Sequence, residues 1–229
     1  MKFNISALLV SRLILFAFFQ AIIALLLSSW TESQKYWILV GTIVNIVSIC
    51  LLVRLQKNEG KKFLDIFRFD TKTWRRDLLY FTGMVFFIIP LAMVPNYLLG
   101  MWLWSDPAVP SYILFQQIPD GLAYVLLVAF PITIAFAELA TYFGYIMPRL
   151  EKIISQKWLV VFLPAIFLSV QHCCLPLVFD YKFIIYRGLV FFPFALFLGY
   201  VLRKKPGLLP FLAILHGFMD MAAVSLIII

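Results

Sequence analysis

Seven apolar runs, each close to the ~20 residues a helix needs to cross a bilayer, dominate this chain. They fall at Ala7–Ser29, Tyr36–Leu55, Leu78–Leu99, Leu122–Pro148, Trp158–Val178, Ile184–Leu202 and Leu208–Ile229. In lipid no water is present to satisfy backbone N–H and C=O groups, so such runs must pair them internally as α-helices. The runs therefore predict an all-α fold, a polytopic transmembrane bundle of about seven spans forming one transmembrane domain over 1–229. Composition argues the same way: 64% of the 229 residues are hydrophobic and 13% are charged, too little polar surface to cover a soluble core. The first run carries Arg12 near its start and is followed by no A-x-A site. It is expected to be a retained helix rather than a cleaved signal.

The net charge is +8, and its distribution is informative. Arg54, Lys57, Lys61, Lys62, Arg68, Lys72, Arg75 and Arg76 follow the second run; Arg149, Lys152 and Lys157 follow the fourth; Arg203, Lys204 and Lys205 follow the sixth. The alternate connections hold Lys35, then none between Leu99 and Leu122, then Lys182 and Arg187. The positive-inside rule puts the N-terminus and the three basic connections in the cytoplasm and the C-terminus outside. A multi-pass protein of a prokaryotic plasma membrane is expected. Basic loops in this setting contact anionic lipid. No basic patch alternates with exposed aromatics, so nucleic acid is not an expected partner. The basic cytoplasmic loop over 56–77 mixes Phe63, Phe67, Phe69 and Trp74 with its cations; it reads as a surface-lying segment or an ordinary connector. The stretch Met101–Asp120, with Trp102, Trp104 and several prolines, reads as an interfacial loop or a re-entrant cap. Cys50, Cys173 and Cys174 lack C-x-x-C spacing and lie in apolar runs, as small buried hydrophobes do.

Ionisable groups deep in a bilayer are costly and mark interior cavities. Of eleven Asp and Glu residues, only Glu138 and Asp220 fall deep in an apolar run, and both histidines, His172 and His216, do the same. At ~1.5 Å per residue, Glu138 and His216 each lie ~16 Å from the nearest basic loop, with His172 and Asp220 at ~21–22 Å. Asp220 is one turn beyond His216 on the same helix face. Four groups on three helices are thus expected to meet near mid-membrane. Helix-gluing contacts are worth only ~1 kcal/mol each, a small gain against burying two carboxylates, so a functional site is the expectation. A carboxylate beside an imidazole activates water as a general base, and a second imidazole supports an oxyanion. The same side chains also suit zinc with a water in the open position, or a proton relay in a transporter. HExxH and GxSxG are absent, which disfavours zincin and α/β-hydrolase chemistry.

The motif spacing resembles that of the CAAX-processing and bacteriocin-processing (CPBP, or Abi) intramembrane proteases. Their first motif, E-E-x-x-x-R then Gly, is similar to Glu138-Leu139-Ala140-Thr141-Tyr142-Phe143-Gly144. Their second, F-x-x-x-H, is similar to Leu168-Ser169-Val170-Gln171-His172, and their third, H-x-x-x-N or D, to His216-Gly217-Phe218-Met219-Asp220. The resemblance covers 122–229 and implies a catalytic core there. It implies Glu138 and His172 as base elements, with His216 and Asp220 as oxyanion elements. The chain departs at Leu139 and Phe143, where the family carries Glu and Arg. The expected activity is an intramembrane endopeptidase cutting a membrane-associated polypeptide that enters from the cytoplasmic side. The alternatives are a non-catalytic scaffold or immunity-type regulator with a relic site, and a small transporter. No cofactor is expected; were zinc present, Glu138, His172 and His216 would be its ligands.

Overall fold

The computed structural model describes residues 5–228. Every regular element in that range is helical. Eleven α-helices follow in order: α1 Ile5–Leu27, α2 Trp30–Gln34, α3 Trp37–Asn58, α4 Trp74–Trp104, α5 Val109–Leu114, α6 Asp120–Leu139, α7 Met147–Leu150, α8 Lys157–Val170, α9 Tyr181–Val190, α10 Phe192–Lys204 and α11 Leu209–Ser225. Six helical runs are long and apolar enough to span a membrane, counting α6 with α7 and α9 with α10 as continuous runs. The chain is an integral, multi-pass membrane protein.

Three boundaries differ from those the apolar runs suggested. The fifth run is expected to reach Val178, but α8 and its terminal 3-10 turn stop at Cys173. The chain then turns through Cys174–Leu177, which close an isolated antiparallel bridge around Pro176. That helix is ~26 Å long by its rise, shorter than its six neighbours. The sixth run is two helices, α9 and α10, joined at Phe191 just before Pro193; a proline is tolerated in the first turn of a helix and breaks an interior. The fourth run stays helical to Leu150 but widens to a π-helix over Ala140–Ile146. Pro148 has no N–H to donate and its ring crowds the carbonyl four residues back. The π-turn absorbs that misfit, directly after Glu138.

The loop read as 56–77 is shorter, because α3 runs on to Asn58 and α4 begins at Trp74. Within it, Phe63–Phe67 forms a 3-10 turn whose Phe63, Ile66 and Phe67 pack on the bundle core, while Leu64 stays exposed. Met101–Asp120 contains the end of α4, a left-handed stop at Ser105, and the short α5. Trp37 Nε1 donates to Leu114 O at 2.8 Å, pinning α5 over the start of α3.

The core has two halves stacked along the bundle. At the end bearing the basic loops, Leu8, Leu52, Phe143, Ile146, Leu202 and Leu209 belong to one apolar cluster. At the opposite end, Phe16, Trp37, Leu114, Phe130, Phe183 and Val224 belong to another. Between them lies a layer of buried polar side chains, the site described next.

Candidate functional site

Glu138 is the hinge of this layer, with its side chain only 4% exposed. It sits in the last turn of α6 before the π-helix. Its Oε2 lies 3.7 Å from His172 Nε2 at the end of α8, and its Oε1 lies 3.6 Å from His216 Nε2 on α11. His216 Nε2 is also 3.1 Å from Asp220 Oδ2, one helical turn on. All four side chains line one cavity of about 230 Å³. The close approach of α11 to α6 makes this possible: a Cβ on Gly217 would come within 3.0 Å of Pro131 O. A side chain at 217 would have to push the two helices apart, moving His216 away from the carboxylate.

The tautomer of His172 follows from its partner. His172 Nδ1 is 2.8 Å from Leu168 O, and a carbonyl only accepts. Nδ1 therefore carries the proton, and in the neutral ring Nε2 presents a lone pair towards Glu138. At 3.6–3.7 Å neither imidazole bonds the carboxylate directly. A water ~2.8 Å from each fits between Glu138 and His172 and would be held by two acceptors.

Several residues of this layer were not singled out by the sequence analysis. Arg12 on α1 is fully buried. Its Nη2 lies 3.9 Å from Glu138 Oε2 and donates to Asn45 Oδ1 at 2.8 Å; its Nη1 donates to Ser48 Oγ at 3.1 Å and its Nε to Gln171 Oε1 at 2.8 Å. Because arginine only donates, it forces the oxygen of Gln171 inwards and turns the amide nitrogen to Glu138 Oε2, at 2.7 Å. Tyr142 O–H donates to the same Gln171 oxygen at 3.2 Å. Helices α1 and α3 thus fasten Glu138 from the side opposite the histidines, so the layer is not confined to 122–229. Arg12 was in plain view as a cation inside an apolar run, itself a signal of an interior partner.

Arg187 is a correction. Read as a loop cation, it is instead buried in α9 and lines the cavity. It donates through Nε to His172 O at 3.2 Å and through Nη2 to Leu175 O, tying the turn after α8 to α9. Two buried arginines thus accompany two carboxylates, the balance that buried charges require. Leu139 and Phe143, the departures from the family pattern, are both buried. Leu139 borders the cavity, and Phe143 packs where a Cβ on Gly199 would stand 2.8 Å from its ring.

Two buried atoms in this site find no hydrogen-bond partner, His216 Nδ1 and Asp220 Oδ2. Buried polar atoms are nearly always satisfied, so such atoms mark a site that solvent or a ligand completes. The residues fit zinc poorly. Glu138 Oε2 is occupied by the Gln171 N–H and faces the Arg12 cation. Among the described residues no group of three His, Cys, Asp or Glu side chains is arranged to hold a metal ion.

Comparison of the chain with family models, curated proteins and solved structures returns no match. Fold and site together define a multi-pass helical membrane protein with a carboxylate–imidazole cluster at the centre of its bundle.

Proposed function

We propose that this protein is an intramembrane endopeptidase that hydrolyses a peptide bond of a membrane-associated polypeptide, with Glu138 and His172 activating water. The observation that carries the reading is the gap of 3.7 Å between Glu138 Oε2 and His172 Nε2, facing a cavity. It suits a water whose protons point at two acceptors and whose lone pair points outwards.

The steps use only this chain's side chains. Water attacks the scissile carbonyl carbon as a proton passes to Glu138, helped by His172. At rest His216 Nε2–H faces Asp220 Oδ2 at 3.1 Å; as substrate enters it turns to the oxyanion, with Asp220 holding a proton so that it does not repel the new charge. The proton held by Glu138 then goes to the leaving amine, giving a new carboxylate and a new amine. Arg12 and Gln171 hold Glu138 in place and stabilise its charged form before water arrives. This scheme needs no metal. The resemblance to the CPBP family supports the same assignment of roles, and the positive-inside rule places the basic loops in the cytoplasm.

The test is cleavage of a quenched-fluorescent peptide library by the purified protein in proteoliposomes. Wild type should cleave, while Glu138→Gln and His172→Ala should lose at least ~100-fold, the usual share of a general base. Cleavage that survives both substitutions overturns the mechanism.

A further inference from the structure

The cavity is not symmetric along the bundle, and its shape bears on how a substrate arrives. Its floor is the buried set Leu139, Leu168, Ala195 and Leu198. The rest of its lining includes Trp37 at the start of α3, Asn96 on α4, Ser111 and Leu114 on α5, and Ala223 on α11, of which Asn96 and Ser111 are exposed. These residues sit towards the end of the bundle opposite the basic loops, since α3 and α6 start there and α4 and α11 finish there. None of the residues around Lys57, Arg149 or Arg203 lines it. On that side the apolar cluster of Leu52, Phe143, Ile146, Leu202 and Leu209 closes the bundle beneath Glu138.

Exposure points to the open side. Side-chain exposure climbs from 4% at Glu138 through 12% at His172 and 18% at His216 to 22% at Asp220. The site is therefore deepest at α6 and shallowest at α11. The neighbouring wall is α4, a 31-residue helix with only Asp77, Ile88 and Gly100 buried. Pro90 and Pro95 lie within this helix, Ala92 between them and Asn96 directly after the second, and both Ala92 and Asn96 line the cavity. Each proline removes a backbone hydrogen bond, so this wall is weakened where it faces the site. Its main polar tie is Tyr186 O–H donating to Asn96 Oδ1 at 2.8 Å.

We infer that the substrate segment reaches Glu138 from the end of the bundle opposite the basic loops, passing between α4 and α11, rather than from the basic end. This rests on the hydrolase reading, and it names the substrate class as a polypeptide segment presented at the non-basic membrane face. With the basic loops cytoplasmic, that face is the outer one. It differs from the cytoplasmic entry expected from the sequence.

The route is read by accessibility, with cleavage measured beside it to separate the route from the hydrolase reading. In a background with Cys50, Cys173 and Cys174 changed to serine, a single cysteine is placed by Ala223→Cys or Met219→Cys inside the cavity, or by Lys152→Cys in a basic loop as reference. A charged, membrane-impermeant methanethiosulfonate reagent is applied to vesicles of each orientation. The cavity cysteines should react in the orientation in which Lys152→Cys does not, and Ala92→Trp, which fills the wall, should slow them at least ~10-fold. Reaction only in the orientation that labels Lys152→Cys, at either cavity position, overturns the route, as does a rate unchanged by Ala92→Trp at both. Met219→Cys covers the case of a poorly folded Ala223→Cys protein. Labelling from the basic side with Glu138-dependent cleavage intact would sink the route alone. Labelling from the opposite side with cleavage persisting in Glu138→Gln would sink the hydrolase alone.

Discussion

Replacing Arg12 by alanine tests whether the polar layer is a functional charge network or ordinary helix glue. Arg12 is fully buried and makes three hydrogen bonds, to Gln171, Ser48 and Asn45, beside Glu138 at 3.9 Å. Its loss leaves different residues in different straits. Gln171 Oε1 keeps the Tyr142 hydroxyl, and Ser48 still donates to Val44 O. Asn45 Oδ1 loses its only donor, and Glu138 is left a buried carboxylate without its cation. Breaking a buried ion pair from one side costs about 3–5 kcal/mol, whereas interhelical polar contacts in lipid average roughly 0.6 kcal/mol. The two accounts therefore separate clearly. Equilibrium unfolding in detergent should show Arg12→Ala destabilised at the upper figure. Adding Glu138→Gln should recover part of the loss, because the uncompensated charge goes with it, giving a coupling energy of about 1–3 kcal/mol. A cost near ~1 kcal/mol, or a cycle in which the two substitutions simply add, would refute the reasoning.

Further outcomes follow from the same geometry. Gly217→Val drives a side chain towards Pro131 O, and the α6–α11 overpacking should cost about 1–3 kcal/mol in a thermal or chemical melt and slow peptide cleavage by separating His216 from Glu138. Asp220→Asn keeps an acceptor for His216 and should retain most activity, whereas Asp220→Ala should lose about 10–100-fold in the cleavage assay. Outside the membrane, Glu59 accepts from Tyr145 and Arg149 and ties the end of α3 to α7. Burial pulls its carboxyl pKa up, but the hydrogen bonds from Arg149 and Tyr145 and the charges of Arg149 and Lys61 outweigh this and hold it below the usual carboxylate value. A lowered pKa contributes stability that is present above the unfolded value and fades as pH falls through the folded one. Glu59→Gln should thus cost about 0.2–1 kcal/mol at neutral pH, as exposed pairs do. The difference from wild type should vanish in melts below the carboxylate range.

Much of this architecture was legible because lipid narrows the choices. Runs of apolar residues must be helices, and Glu138, His172, His216 and Asp220 stood out as the deep acids and the histidines. Helical rise alone put them at similar depth, and the fold brings all four to one cavity. What escaped was whatever depends on partners distant in sequence. Gln171 lies beside His172, yet its role is set by Arg12, 159 residues away. Arg187 looked like a loop cation because the short α8 and the turn at Pro176 shift the chain and place it against the end of that helix. The π-turn after Glu138 needed Pro148 to be weighed as a misfit inside a helix, rather than as its end. The direction in which the cavity extends depends on α4 and α5, whose sequences carry no ionisable marker at that depth.

The most direct check on the central claim is isotopic. Wild type and Glu138→Gln proteins, reconstituted in proteoliposomes, are given cleavable library peptides in water enriched in heavy oxygen, and the products are read by mass spectrometry. The account predicts one solvent oxygen in each new C-terminal carboxylate made by wild type, and no product from the variant. Products formed equally by Glu138→Gln, or wild-type products without solvent oxygen, would contradict it.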